Sequence, residues 1–190
     1  EIDLTNYTTY SLKLNGALHY KIPKLGTLSY QYNYGNGTTV YQGDNRYSVK
    51  DITFNQMKAE LKNDDYFIKY YQTTEDAGNS YDLVYTAFKL LQGQKSYEQW
   101  YVDFEEGIGE ALKQNIDNVD DRLAFARTYA DSKQDDLIGT KAMLQPGTPE
   151  FERAMQEITS NPSFTTGGTR FQDESSLRHI EGQYILRPID

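Results

Sequence analysis

From Tyr10 to Ile22 the chain alternates without interruption. Tyr10, Leu12, Leu14, Gly16, Leu18, Tyr20 and Ile22 fall on one side of an extended backbone; Ser11, Lys13, Asn15, Ala17, His19 and Lys21 fall on the other. Successive strand side chains point to opposite faces, so this is a period-two ribbon. It runs for about a dozen residues, where an ordinary strand has about five or six. Such a length constrains the fold more than any other feature of the sequence.

The ribbon is followed by a turn at Pro23-Lys24-Leu25-Gly26 and a second alternating run. There Leu28, Tyr30, Tyr32 and Tyr34 oppose Thr27, Ser29, Gln31 and Asn33. We expect Gly35-Asn36-Gly37 to end this strand and a polar loop to run to about Asp44. Strand character returns over residues 47–61, with Ile52 and Phe54 on one face and Met57, Ala59 and Leu61 on the other. A bulge near Asn55 would reconcile the two phases. Lys62-Asn63-Asp64-Asp65 signals a tight turn, and residues 66–72 and 177–186 read as two further strands, the last stopped by Arg187-Pro188.

Between Thr73 and Ser175 the pattern changes. After a short strand expected at residues 83–90, apolar residues recur at helical spacing: Trp100, Phe104, Ile108 and Leu112. Ser96 with Gln99 three residues on resembles a capping box. Asp117-Asn118 can cap a second helix, and Thr148-Pro149-Glu150 a third. The expected organisation is therefore strands over residues 1–72 with one external loop, a long insertion over 73–175 that is helical at about 96–160, and a last strand over 176–190.

Composition narrows the environment. Hydrophobic residues make up only 37% of the chain, yet aromatic residues reach 14%, with 17 Tyr. A disordered acidic chain would be poor in aromatics. Tyrosine suits places where one end of the ring is apolar and the other wet: clefts, interfaces and membrane headgroup belts. The net charge of −9 argues against nucleic acid as a partner. With no cysteine there are no disulfides, thiolate metal sites or Cys nucleophile. No Ser/His/Asp order, HExxH, P-loop or EF-hand pattern occurs, so neither enzymatic activity nor a cofactor is expected.

Long alternating strands, an aromatic-rich apolar face and links that alternate short and long describe an outer-membrane barrel, with tight periplasmic turns and long external loops. The expected fold class is mainly β: an antiparallel meander forming part of a transmembrane β-barrel, with a helical extracellular insertion, α+β overall. Five strands cannot close, and an open edge cannot sit in lipid, so this is expected to be a portion of a larger barrel. Lys13, Asn15, His19, Gln31, Asn33, Lys69, His179 and Glu181 would then line its watery interior.

Five stretches carry a family resemblance: ALHYKI (17–22), TVYQGDNRYSVKD (39–51), YYQTTEDAGNSYDL (70–83), PGTPEFERAM (146–155) and LRHIEGQY (177–184). They resemble the barrel of TonB-dependent receptors of the Bacteroidetes type, in which a carboxypeptidase-regulatory-like module and a plug precede the barrel. The resemblance implies a 22-stranded barrel in the outer membrane, importing a scarce nutrient such as a siderophore, peptide, glycan or cobalamin. It implies outer-membrane lipid as surroundings, coupling to the TonB complex through parts not in this sequence, and a surface lipoprotein or nutrient as further partner. It supplies no catalytic residue and no metal ligand.

Candidate ligand contacts are Asp44, Asn45 and Arg46, Glu75 and Asp76, and Tyr97, Trp100 and Tyr101. The plainer reading of the acidic and amide groups is turn chemistry, because Asp and Asn bond their own backbone. Trp100 with Phe104 and Ile108 is equally a helical core stripe. The two histidines lack the further ligands of a metal site. Residues 96–165 contain 14 acids and 6 bases, a net of −8; this acidic field could favour a basic partner, or simply keep an exposed lid soluble. The alternative to the barrel is a soluble β-rich glycan-binding module with a helical cap.

Overall fold

A computed structural model describes residues 4–162 and 167–186. The opening Glu1-Ile2-Asp3 and the expected stop at Arg187-Pro188 lie outside them. The protein is mainly β, with one antiparallel sheet and four helices. The strands are β1 (Tyr10–Ile22), β2 (Gly26–Gln42), β3 (Arg46–Lys62), β4 (Tyr66–Asp76), β5 (Tyr81–Asp82) and β6 (Glu174–Tyr184). The helices are α1 (Leu83–Gln92), α2 (Tyr97–Lys113), α3 (Val119–Ser132) and α4 (Pro149–Ser160). Strand order is β1-β2-β3-β4-β6, with β5 paired to the far end of β3. The sheet does not close: β1 and β6 are its two edges.

The chain forms two compact units, a helical one (Leu83–Thr169 with Leu4 and Thr5) and a sheet one (Asn6–Asp82 with residues 170–186). Three expectations are corrected, two of them in the sheet unit. Gly35 and Gly37 do not end β2, which runs on to Gln42, and the loop is only residues 43–45. Here Gly37 serves close packing within a ladder: a Cβ on it would lie 2.9 Å from the Tyr10 carbonyl oxygen. The Asn36 side chain between them accepts from the Tyr10 hydroxyl (2.6 Å) and donates to the Ile52 carbonyl (3.1 Å), tying three strands together. The second link is therefore tight rather than long, so only the connection from β4 to β6 is long.

The bulge is not near Asn55. The register shifts between Gly37 and Thr39, opposite Lys50 and Asp51. Asp51 takes a left-handed conformation, φ 59°, which reverses the phase of β3. Its carboxylate accepts from the Tyr10 hydroxyl (3.2 Å) and the Asn79 amide (3.3 Å), and its backbone N–H donates to the Thr38 hydroxyl (3.0 Å). Gly78, also left-handed, bridges Lys50 here; a Cβ would sit 2.6 Å from the carbonyl oxygens of both Lys50 and Asp51. This knot marks where the β3 partner changes from β4 to β5.

In the helical unit the third correction arises: residues 83–90 are helical, within α1. Leu83, Thr86 and Leu90 are its buried positions, and that spacing is helical rather than alternating. The caps fall where the sequence indicates. Ser96 accepts from the Gln99 N–H (3.2 Å), Asn118 from the N–H groups of Asp120 and Asp121, and Thr148 from that of Phe151, with Pro149 at the first helical position. Helices α2 and α3 pack through small residues, with Gly107 and Ala111 facing Ala126 and Ala130 as buried groups. A Cβ on Gly107 would come within 2.8 Å of the Ala126 Cα. Among the described residues no helix is long and apolar enough to cross a membrane.

Candidate functional site

The register of the sheet assembles the site. Lys13 stands opposite Gly35; Asn15 opposite Asn33; Ala17 opposite Gln31; His19 opposite Ser29. The rungs continue through β3, β4 and β6: Gln31 to Lys58, Tyr71 and His179; Ser29 to Glu60, Lys69 and Glu181. All eight residues assigned from the sequence to a polar face therefore share one face of one sheet. They are linked along it. Asn15 donates to Asn33, and His19 Nδ1 shares a hydrogen bond with the Ser29 hydroxyl at 2.8 Å. Lys58 pairs with Glu60 at 3.1 Å, Lys69 with Glu181, and the His179 ring stacks on Tyr71 with centroids 4.9 Å apart. Opposite charges along and across these rungs pair with one another, and the face offers both donors and acceptors.

The other face is apolar. Its rungs are Tyr20-Leu28-Leu61-Ile68 and Leu18-Tyr30-Ala59-Tyr70-Ile180. Many of these side chains are left exposed by the described residues: Leu18 is 75% exposed, Ile180 70% and Tyr20 68%. The upper limit of the apolar band slopes. It lies at Leu12 on β1, whose partner Asn36 is polar and beyond which only Tyr10 continues the face, its hydroxyl bonded to Asn36 and Asp51; at Tyr34 on β2, whose partner Asn55 is polar; at Met57 on β3, whose partner is Gln72; and at Tyr70 on β4. The limit thus recedes two positions at each of three steps and is level from Tyr70 to Ile180. That is about 20 Å along the strands over about 19 Å across them, a slope of roughly 45°.

Within the sheet unit the proposed ligand contacts are not gathered in one place. Asp44 and Asn45 form the exposed tip of the β2–β3 hairpin, and Arg46 opens β3. The Asn45 amide donates to the Tyr47 hydroxyl (3.0 Å), and Tyr47 stacks on Tyr41 and meets the edge-on Phe171 ring. Glu75 and Asp76 end β4, opposite Phe54 and Thr53, several rungs from Arg46. The Asp76 carboxylate accepts from the Gly78 N–H at 2.7 Å, which is turn chemistry. Trp100 stacks on Phe104 and donates from Nε1 to Asp131 at 2.8 Å, so it joins α2 to the end of α3; Tyr97 and Tyr101 are exposed.

A charged cluster was not legible in the sequence. Lys95 and Asp103, with side chains 0% and 1% exposed, form an ion pair at 2.8 Å. Lys95 also donates to the carbonyls of Ala130 and Lys133, both at 2.7 Å, while Asp103 accepts from Lys133 (3.0 Å) and Gln99 (3.1 Å). Burial alone would raise the Asp103 pKa. The hydrogen bonds from Lys95, Lys133 and Gln99 outweigh it and hold the carboxyl below its usual range. Lys133 is held above the usual lysine range by Glu106 and then Asp103. The only sequence signal was Asp103 interrupting the apolar side of α2, one turn after Gln99. Among the described residues no group of three or more His, Asp or Glu side chains converges as a metal site.

No family model matches the chain. Neither a curated protein nor a solved structure matches it. The functional reading therefore rests on the two faces of the sheet and on the resemblance of the five sequence stretches.

Proposed function

We propose that this chain forms part of the wall of a transmembrane β-barrel in a bacterial outer membrane, within a nutrient importer of the TonB-dependent receptor type. The observation that carries the reading is the register: one sheet with a broad exposed apolar face, a mostly polar face behind it, and an edge strand on each side with one side unpaired among the described residues. Water-soluble proteins rarely leave so broad an apolar face bare, and exposed long edges invite aggregation. In a barrel wall all three features have a use. The apolar face meets lipid, the polar face meets the aqueous interior, and the edges pair with neighbouring strands.

The slope of the apolar band supports the same reading. Barrel strands tilt by about 35–45°, so a band level with the membrane must climb obliquely across the rungs. β1, at 13 residues, exceeds the 9–11 or so that a tilted strand needs to cross. β2 and β3, at 17 residues each, would project beyond the lipid and carry Asp44 outward. Import of a nutrient, coupled through TonB, is supported by the sequence resemblance alone.

The experiment is a topology assay on single cysteines, for which the chain offers a clean background. Asp44→Cys at one end of the sheet should react with an impermeant maleimide on intact cells. Asp64→Cys, in the turn at the other end, should react only after the outer membrane is permeabilised. Equal labelling of both on intact cells rejects the reading.

A further inference from the structure

Helices α1 and α4 pack against one another within the helical unit and leave a groove beside residues 143–146. One part of it is a cavity of about 200 Å³ lined by Leu4, Ala87, Leu91, Met143, Pro146 and Phe151. These side chains are all apolar, and a dry cavity of about 150 Å³ is already enough to hold benzene. The other part, of about 450 Å³, is mixed: Lys89, Gln92, Gln94 and Glu157 line it together with Ile158 and Gly167. Leu90 and Leu144 border both parts, so the two lie side by side. Lys89 and Glu157 are the charged residues of the groove, and neither has an ion pair or a side-chain hydrogen bond among the described residues. The Lys89 ammonium sits 3.7 Å from where a Cβ on Gly167 would be, beside backbone that has no side chain to cover it. Glu157 lies in the last turn of α4, where a negative charge opposes the helix dipole. No described base offsets it.

We propose that this groove binds a free hydrophobic amino acid, with its side chain in the apolar cavity, its carboxylate on Lys89 and its ammonium on Glu157. The two parts together exclude simpler ligands. A small polar molecule gains nothing from the apolar cavity. A fatty acid could reach Lys89, but it would bring a second carboxylate to Glu157 with no cation between them. A zwitterion satisfies both charges at once, and its ammonium also gains from the negative end of the α4 dipole. The cavity volume suits a side chain the size of leucine or phenylalanine. The site belongs to the helical unit alone, and it stands whether or not the sheet is a barrel wall.

The test is equilibrium dialysis of radiolabelled L-phenylalanine against the whole protein. L-Phenylalanine and L-leucine should bind, and glycine, which leaves the cavity empty, should not. Lys89→Ala should weaken binding about tenfold, as the loss of a hydrogen bond to a charged group does. Glu157→Ala should weaken it about threefold, because Glu157 is exposed to solvent. Neither residue holds a partner in the fold, so both variants should keep the parent melting temperature. Analogues separate the two ends. N-acetylphenylalanine has no ammonium, so its binding should be indifferent to Glu157→Ala. Phenylalaninamide has no carboxylate, so its binding should be indifferent to Lys89→Ala. The absence of binding up to the solubility limit overturns the proposal. So does glycine or toluene binding as tightly as phenylalanine, or an affinity for phenylalanine that either substitution leaves unchanged.

Discussion

Leu18→Arg should prevent assembly of the protein in the outer membrane, while Ala17→Arg, one residue away, should leave it nearly unchanged. Leu18 is the most exposed large apolar residue of β1 and sits in the rung that continues through Tyr30, Ala59, Tyr70 and Ile180. That rung is apolar throughout and lies well inside the band. An arginine at the bilayer midplane costs about 2–4 kcal/mol, which lowers the ratio of folded to unfolded protein roughly 30- to 1,000-fold. Ala17 points to the other face, opposite Gln31 in the rung that includes Lys58 and His179. A long polar side chain there meets water and hydrogen-bonding neighbours. Heat-modifiable migration on gels measures the folded fraction of each variant. Equal folding of the two would mean that the faces do not see different solvents.

The second large effect lies in the helical unit. Asp103→Ala should destabilise that unit by about 3–5 kcal/mol, because it leaves the buried Lys95 ammonium without its counter-charge. The double variant Lys95→Met/Asp103→Leu should recover much of the loss, since a well-packed apolar pair often replaces a buried ion pair at little cost. The same cluster makes the unit acid-sensitive. The folded-state pKa of Asp103 is depressed, so its contribution is complete above the ordinary carboxylate range, near pH 4. It is lost as pH falls below that range through the folded-state value. Trp100 is the chain's single tryptophan and touches Asp131 and Phe104, so its fluorescence reports melting of this unit. The expected result is a fall in melting temperature below about pH 4 that shrinks in the double variant. An acid sensitivity identical in both would assign the effect to other carboxylates.

Alternation made β1 legible to the residue, because every second side chain along it obeys one polarity. Capping chemistry marked the starts of α2 and α4 at Ser96 and Thr148 and narrowed that of α3 to Asp117-Asn118, because these side-chain oxygens can accept from the free N–H groups of a helix N-terminus. The extension of β2 was hidden by Gly35 and Gly37. Glycine marks turns in sequence, but here Gly37 permits close approach between paired strands. The phase change in β3 was visible as a conflict between Ile52 and Met57, yet its position depended on Asp51 accepting a left-handed conformation, which three partners from other segments stabilise. α1 was misread as a strand because Leu83, Val84 and Tyr85 are consecutive apolar residues and short apolar runs do not distinguish the two periods. The Lys95–Asp103 pair was invisible for a different reason. Its members look like ordinary surface charges until the carbonyls of Ala130 and Lys133 fold over them.

The central claim is that the two faces of the sheet meet lipid and water respectively. A spin-label scan along β1, one cysteine at a time from Ser11 to Lys21 in the membrane-embedded protein, tests it most directly. Collision rates with oxygen, which concentrates in lipid, and with a water-soluble nickel chelate are measured at each position. Labels at residues 12, 14, 16, 18 and 20 should be accessible to oxygen, and those at 11, 13, 15, 17, 19 and 21 to the chelate, with a period of two and opposite phase. A scan with no alternation, or one in which the even positions react with the chelate as readily as the odd ones, would contradict the account.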